Sequence, residues 1–118
     1  MNMINETPVL QHFHIGGVKH IHPFGLSTSQ DDFVLIDIRE NEEINPNDTV
    51  LHKSQLHIPT SLFSSSLDLI PTDKKIVIMC AHGIRSVRIC SWLMRIGFEN
   101  ALNLDGGFAI WMKLRESL

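Results

Sequence analysis

Cys80 carries the clearest chemical signal in this chain, because it ends an apolar run and opens a glycine-containing loop. The run Lys75–Met79 is rich in β-branched residues, and the loop Cys80–Ser86 (CAHGIRS) leads into a helical pattern. A cysteine between a strand and a helix lies at a helix N-terminus, where backbone N–H groups and the helix dipole favour negative charge. The same field lowers the pKa of a thiol, so the pattern predicts that Cys80 is a nucleophile.

The loop after Cys80 is short enough to form a small bowl. Four residues separate Cys80 from Arg85, and we expect inward-facing amides to make this bowl an anion-binding nest. Gly83 permits a positive φ and a close approach of the backbone to the bound group. We therefore expect a covalent adduct on the sulfur, with its charge stabilised by the nest. The predicted substrate-binding residues are Ala81, His82, Gly83, Ile84, Arg85 and Ser86.

The polar residues of this region have plainer interpretations beside the functional ones. Arg85 supplies a fixed positive charge that binds an anion or bridges to a carboxylate such as Asp37. His82 is expected to face solvent, with tuning of the nucleophile as the alternative. Ser86 is expected to begin the helix and to accept a hydrogen bond from a free N–H group through its hydroxyl. Cys90 falls on the apolar helix face and is expected to be a small core residue rather than a resolving thiol.

Strands that alternate with helices predict an α/β domain with a mostly parallel sheet. Ligands in such sheets bind outside the carboxyl ends of the strands, where Cys80 would lie. The clearest predicted elements are strands at 33–38, 75–79 and 101–104 and helices at 86–96 and 108–114.

Three further segments are predicted less directly. The alternation of residues 11–15 predicts a short strand, after which the glycines and prolines of residues 16–25 are expected to break any regular element. Ser61–Phe63 predicts another short strand. Residues 64–70 predict a brief helix that ends before Pro71.

Size and charge limit the possible functions. The 118 residues suit one domain, 1–118, with its motifs within about 31–114 and a His- and Gly-rich segment of unclear structure at 1–30. The net charge of -3 gives no basic footprint for nucleic acid. The apolar runs are too short to span a bilayer, and the first residues lack a signal-peptide pattern, so we expect a soluble, cytoplasmic protein without a membrane partner. The two cysteines are expected to be free thiols, which suits a reducing compartment.

Two His-x-His pairs, His12 with His14 and His20 with His22, stand near the start of the chain. On a strand, each pair would point to one face, which could suit a metal ion. The segment has no carboxylate or cysteine among these ligands and no known metal-site spacing. We therefore predict no metal site and no cofactor.

Four sequence motifs follow one another between residues 33 and 111. They are Leu35–Glu40 with Glu43 (I-D-x-R-E-x-x-E), His57–Pro59 (H-I-P), Cys80–Ser86 (C-x-x-G-x-R-S), and Gly97–Asn100 with Leu104–Gly107 and Trp111 (G-F-x-N and L-x-G-G-x-x-x-W). In this order and at this spacing, the chain resembles the single-domain rhodanese family of sulfurtransferases. Each motif alone is weak, and the specificity comes from their combination.

The resemblance implies a fold, a reaction and two supporting residues. It implies a rhodanese-like α/β domain with a sheet of about five strands. It implies that the Cys80 thiolate takes a sulfane sulfur from an anionic donor such as thiosulfate and holds it as a persulfide. Cyanide, a dithiol or a thiol of a partner protein would then accept that sulfur. Asp37 and Arg39 would border and support the site, although they could also be a simple strand-end ion pair.

The chain departs from the family pattern around His57. Leu56 precedes it, Thr60 and Ser61 follow Pro59, and the segment after Glu43 is long. These changes predict a reshaped loop beside the site, and they bear on the choice of substrate more than on the fold or the nucleophile.

Two other functions fit the same residues. Some cysteine phosphatases and arsenate reductases use this fold, but their loop has one more residue and makes a larger bowl for a tetrahedral oxyanion. A sulfur-relay or interaction module would use the same bowl, accept a persulfide from one protein and pass it to another, with little turnover of small molecules.

Overall fold

A six-stranded sheet forms the centre of the computed structural model, which describes residues 12–15, 17–28, 32–48 and 54–116. The strands are β1 (His12–Ile15), β2 (Val18–Ile21), β3 (Phe33–Asp37), β4 (Gln55–His57), β5 (Lys75–Met79) and β6 (Ala101–Leu104). Their order in the sheet is β1-β2-β6-β5-β3-β4; the five strands from β2 onwards pair in parallel, and β1 pairs antiparallel with β2. This confirms the predicted α/β fold with about five mostly parallel strands.

The central strands are apolar on both sides because both faces of the sheet are covered. In β3, Val34 and Ile36 point to one face, whereas Phe33 and Leu35 point to the other. The strands β5 and β6 divide in the same way, which gives two core layers on opposite sides of the sheet.

Three helices cover these two layers: α1 (Pro23–Thr28), α2 (Arg85–Arg95) and α3 (Gly107–Glu116). Helix α2 places Cys90 and Leu93 in one core layer. Helices α1 and α3 contribute Leu26 and Trp111 to the other layer. In the described part of the chain, no helix has the length and apolar character needed to cross a membrane.

Residues 17–25 contain regular structure where glycines and a proline were expected to break it. Gly17, with φ +80°, makes the turn between β1 and β2, so a glycine here joins two strands. Pro23 occupies the first turn of α1, where its missing N–H group costs nothing. The Phe24 amide donates to His22 Nδ1 at 3.1 Å, so this imidazole takes the place of an N-capping hydroxyl.

The strand predicted at Ser61–Phe63 is wrong. These residues lie in a 3-10 helix, Thr60–Ser65, and the strand of this region is β4, just before it. The hydroxyls of Ser65 and Ser66 donate to the Leu62 carbonyl at 3.0 and 2.8 Å, which favours a tight turn over an extended chain. A second 3-10 helix, Leu67–Leu69, replaces the brief helix predicted at 64–70.

The carboxyl ends of the central strands meet at one edge of the sheet. Asp37 ends β3 and is in register with Met79, the last residue of β5. Cys80 follows directly and begins the loop to α2. The sheet therefore brings the candidate nucleophile and the Asp37–Arg39 segment to the same edge, as parallel strand order requires.

Candidate active site

The Cys80 sulfur lies at the floor of the loop, surrounded by hydrogen-bond donors. The Gly83 amide donates to Sγ at 3.1 Å, and Ser86 Oγ lies 3.2 Å from the same sulfur. The residue is only 1% exposed, so the sulfur is shielded from bulk solvent. The inward-facing amides predicted for this loop are thus present at Gly83.

The pKa of the Cys80 thiol lies below that of an ordinary cysteine. Burial alone would raise this pKa, but hydrogen bonds outweigh burial. The contributing donors are the Ser86 hydroxyl and the backbone amides of Ser86, His82 and Gly83. The thiolate is therefore stabilised by fixed donors at the N-terminus of α2.

The N-terminus of α3 holds the loop in this orientation. The amides of Phe108 and Ala109 donate to the carbonyls of Cys80 and Ala81 at 2.9 and 3.0 Å. Because these carbonyls turn towards α3, the amides that follow them are free to face the sulfur.

Two glycines allow this close packing of loop against helix. Gly83 has φ +82°, and a Cβ on it would lie 2.8 Å from the Gly106 nitrogen. Gly107 has φ +65°, and a Cβ there would lie 2.7 Å from the Gly83 nitrogen. Side chains at these positions would push the loop away from α3.

Ser86 does not begin the helix as predicted. It is the second residue of α2, it is completely buried, and Ile84 occupies the N-cap position. Its hydroxyl donates to Asn103 Oδ1 and contacts the Cys80 sulfur instead of meeting a free N–H group. The helix therefore contributes a side chain to the nucleophile as well as its backbone.

Sequence reasoning missed His20 and Asn103, which extend this contact. Asn103 Nδ2 lies 3.1 Å from His20 Nδ1, and both residues are buried. One signal was available in the sequence: Asn103 is a polar residue within a short, otherwise apolar strand. Such a residue requires hydrogen-bond partners in the core.

Arg85 bridges to a carboxylate, and this carboxylate is Glu43 rather than Asp37. Its Nη1 and Nη2 donate to the two carboxylate oxygens of Glu43 at 2.8 and 2.7 Å, and Asp37 is not its partner. The hydrogen bond from Arg85 lowers the pKa of Glu43 to about 2, and the same bond raises the pKa of Arg85. The loop's arginine is thus partly neutralised by the segment after β3.

Asp37 and Arg39 form a buried ion pair at the end of β3. Arg39 Nη2 lies 2.9 Å from Asp37 Oδ2, and Arg39 Nη1 lies 3.1 Å from Asp48 Oδ2. Burial works against the charge of Arg39, but both carboxylates raise its pKa above the usual value. The guanidinium also lies 3.9 Å from the ring centroid of Phe108, the residue whose amide holds the Cys80 carbonyl. The ion pair is therefore linked to the active-site loop through Phe108 of α3.

The H-I-P segment and the residue after it form hydrogen bonds with the backbone that follows β3. His57 Nε2 is 2.7 Å from the Arg39 carbonyl, and the Thr60 amide and hydroxyl both donate to the Ile38 carbonyl. Part of the long segment predicted to reshape the site, residues 49–53, lies outside the described residues.

The other loop residues and the second cysteine differ in exposure. His82 and Ile84 are exposed, with Ile84 at 72%, whereas Ala81 is half-buried. Cys90 is fully buried, and burial raises its pKa to about 12. Both cysteines are free.

The histidine pairs do not form a metal site within the described residues. No group of three potential ligands occurs there. His20 contacts Asn103 in the core, and His22 caps α1, so this pair does not act together. The side chains of His12 and His14 lie outside the described part of the structure.

Comparison with known proteins agrees with this geometry. The rhodanese-like domain family matches residues 10–114. The chain belongs to this family. It is 35% identical over 83 residues to a sulfurtransferase of Allochromatium vinosum, covering 70% of this chain and 75% of that protein. It is 29% identical over 84 residues to the thiosulfate sulfurtransferase GlpE of Haemophilus influenzae, covering 71% and 77%.

A solved structure supports the same assignment. A rhodanese-related protein from Thermoplasma volcanium superimposes with a TM-score of 0.71 at 25% identity, covering 80% of this chain and 91% of that one. The rhodanese-like fold predicted from the four motifs is therefore confirmed. By distant homology, the chain is a rhodanese-like sulfurtransferase.

Proposed function

We propose that this protein transfers a sulfane sulfur through a persulfide on Cys80. The observation that carries the proposal is the buried Cys80 sulfur, which accepts a hydrogen bond from the Gly83 amide at 3.1 Å and has a lowered pKa. A thiolate held by backbone donors is a good nucleophile, and the same donors would stabilise the outer sulfur of a persulfide.

The reaction has two displacement steps. The Cys80 thiolate attacks the outer sulfur of a donor such as thiosulfate, and the sulfur–sulfur bond of the donor breaks. Sulfite leaves with the bonding electron pair, and Cys80 holds the persulfide. A cyanide ion, a dithiol or a protein thiolate then attacks the outer sulfur and regenerates the Cys80 thiolate, which gives ping-pong kinetics.

The size of the loop favours sulfur over a phosphate or arsenate group. Only four residues lie between Cys80 and Arg85. The Gly83 amide also points directly at the sulfur, so the donors of this short loop converge on one atom rather than on a ring of oxygens. A tetrahedral oxyanion would need a wider ring of donors.

Intact-mass measurement tests the proposal directly. Wild-type protein incubated with thiosulfate should gain the mass of one sulfur atom, and cyanide should remove it. Cys90→Ser, which changes the other cysteine, should behave like wild type, whereas Cys80→Ser should gain nothing. An unmodified wild type, or sulfur that is retained in Cys80→Ser, would contradict the proposal.

One observation favours a relay between proteins as a second candidate function. Arg85, the only arginine or lysine of the loop Cys80–Ser86, already makes two hydrogen bonds to Glu43. It therefore attracts a free anion less strongly than an unpaired guanidinium would. The exposed side chain of Ile84, on the same loop, offers apolar surface to a protein partner.

Kinetics separate the two candidates. An enzyme for small donors should turn over thiosulfate and cyanide efficiently. A relay should instead accept sulfur from a persulfidated protein much faster than from thiosulfate at equal concentration. We place either activity in the cytoplasm, since both cysteines are free and the reaction needs a reduced thiol.

A further inference from the structure

A chain of buried polar side chains leads away from the nucleophile into the core. The Cys80 sulfur contacts Ser86 Oγ at 3.2 Å, and the Ser86 hydroxyl donates to Asn103 Oδ1. Asn103 Nδ2 lies 3.1 Å from His20 Nδ1. All four residues are 5% exposed or less. In a layer whose neighbouring side chains are apolar, these groups supply hydrogen bonds to one another.

Strand register produces this chain. Asn103 of β6 is in register with Ile78 of β5 on one side and with His20 of β2 on the other. Cys80 lies two residues beyond Ile78 and so points to the same face. Helix α2 packs on this face and places Ser86 between the sulfur and the carboxamide.

The Ser86 hydroxyl has one proton and two neighbours that compete for it. A protonated Cys80 can donate S–H to Ser86 Oγ, which leaves the hydroxyl proton for Asn103 Oδ1. A Cys80 thiolate needs that proton itself. Asn103 Oδ1 and Ser86 Oγ would then face each other as two acceptors with no hydrogen between them. A flip of the Asn103 carboxamide by 180° removes this conflict, because Nδ2–H then donates to Ser86 Oγ.

We propose that His20 and Asn103 are positioning residues for Cys80, forming with Ser86 a hydrogen-bond chain whose direction reverses when the thiol ionises. This inference rests on the proposed role of Cys80 as the nucleophile. In the thiol state, each group from sulfur to imidazole donates inward, and His20 Nδ1 accepts. In the thiolate state, the thiol proton has left to solvent and the neutral imidazole has changed tautomer, so that its hydrogen lies on His20 Nδ1 instead of Nε2 and each group donates outward. An imidazole that donates from Nδ1 therefore favours the thiolate.

The neighbouring charged groups are engaged separately from this chain. Arg85 and Cys90 interact electrostatically with Cys80, and Arg85 is held by Glu43. Beside His20 on β2, Lys19 Nζ donates to the Glu99 carbonyl at 3.0 Å. His22 Nδ1 accepts the Phe24 amide. Substitution of His22 therefore provides a control in the same stretch of chain.

Thiolate absorbance near 240 nm as a function of pH tests the proposal without requiring sulfur transfer. Cys80→Ser supplies the blank, and Cys90 stays protonated because burial raises its pKa to about 12. His20→Leu should raise the midpoint by about one pH unit, a tenfold loss of thiolate below the midpoint. His20→Gln, which can donate and accept, should restore most of the wild-type midpoint.

His22→Ser, which keeps an N-capping group, should titrate like wild type. A wild-type midpoint in His20→Leu would overturn the proposal, as would an equal shift in His22→Ser.

Imidazole ¹⁵N resonances of the wild-type protein test the chain without a destabilising variant. The His20 Nδ1 resonance, assigned with His20→Gln, should move from the range of an acceptor nitrogen towards that of an N–H nitrogen as Cys80 ionises. The step should be absent in Cys80→Ser. A His20 resonance that stays constant through the thiol transition would refute the coupling.

These outcomes are distinguishable from failure of the proposed function. A coupled thiolate without a persulfide after thiosulfate would contradict sulfur transfer and leave the chain intact. A persulfide that forms normally with no coupling to His20 would contradict the chain alone.

Discussion

Replacing Ser86 with alanine removes a side-chain hydroxyl that contacts the nucleophile. Ser86 Oγ lies 3.2 Å from the Cys80 sulfur and contributes to the lowered pKa of this thiol, together with three backbone amides. The amides depend on the backbone and survive the substitution. Burial, which raises the pKa, also remains, so the change isolates the contribution of the hydroxyl.

The expected effect on Cys80 follows from the strength of a hydrogen bond to a charged group. Such a bond contributes about 1.5–3 kcal/mol, and one pKa unit corresponds to about 1.4 kcal/mol. The Ser86→Ala substitution should therefore raise the pKa of Cys80 by about one to two units. At pH values below the wild-type midpoint, the rate of alkylation by iodoacetamide should fall by a factor of about 10 to 100.

The substitution should also change stability in a pH-dependent way. The folded thiol ionises at lower pH than the unfolded thiol, so the wild type gains stability as pH rises between the two pKa values and keeps it above both. Ser86→Ala should lose most of this increment. In addition, at pH values where Cys80 is a thiol, it leaves Asn103 Oδ1 without the Ser86 donor, which should lower the free energy of unfolding there by about 1–3 kcal/mol.

Alkylation rates measured from pH 5 to 10, with urea unfolding at each end of this range, check both effects. Ser91→Ala, a change of the same size on the same helix, is the control and should leave the thiol midpoint unchanged. If Ser86→Ala is alkylated with the wild-type midpoint and only the plateau rate changes, the hydroxyl does not stabilise the thiolate, and the electrostatic reasoning is refuted.

Three further substitutions test other parts of the site. Gly107→Ala should lower the free energy of unfolding by about 1–3 kcal/mol more than Gly17→Ala. Both glycines have a positive φ, but of the two only Gly107 is placed so that an added Cβ would meet the backbone of the active-site loop. Equal losses in urea titrations would contradict this. Glu43→Gln should free the loop arginine and lower KM for thiosulfate by about two- to fivefold at low salt, and an unchanged KM would show that this charge does not attract the donor. Because the pKa of Glu43 is about 2, the stability that the pair adds in wild type should be lost only as pH falls below the ordinary carboxyl pKa of 4.5 towards 2, a loss that is absent in Glu43→Gln. Arg39→Met should lower the free energy of unfolding by about 3–5 kcal/mol, since it leaves the buried Asp37 carboxylate without its ion-pair partner. Arg95→Met, at an exposed arginine, is the control. A similarly small loss in both variants would show that the Asp37–Arg39 ion pair does not stabilise the fold.

The features that sequence predicted well are those set by neighbouring residues. The apolar run before Cys80, the glycine at 83 and the helical pattern after it define a strand, a turn and a helix within one short segment. That local order places amide donors beside the sulfur, so the nest could be predicted from the sequence, whereas the contacts with α3 that hold the loop in its orientation could not.

The incorrect predictions arose where local signals were ambiguous. Gly17 and Pro23 were expected to interrupt regular structure, yet each stands where such a residue is favoured, in a strand connection and at a helix start. Ser61–Phe63 was predicted to extend, but the serine hydroxyls that follow stabilise a 3-10 turn. In both segments, the position of the residue within the element decided the outcome, and composition alone does not supply that position.

The partners of Arg85 and Ser86 needed information that no local pattern holds. Arg85 could meet any carboxylate near the loop, and only the path of the chain after β3 selects Glu43, 42 residues away. Ser86 was expected at a helix start, where a hydroxyl serves the backbone. The register between β5 and β6 instead places Asn103 beside it.

His20 and Asn103 show most clearly how the fold adds to the sequence motif. They are 83 residues apart, and parallel pairing of β2 with β6 makes them direct neighbours. A buried histidine and asparagine in an apolar layer lower stability unless each finds partners. The partners they find end at the reactive sulfur, so the same contacts that make these residues tolerable in the core also couple them to Cys80. If the pair were only structural, replacing both with apolar residues of similar volume would leave the Cys80 midpoint unchanged; we expect the midpoint to rise in His20→Leu/Asn103→Leu even where unfolding shows no loss of stability.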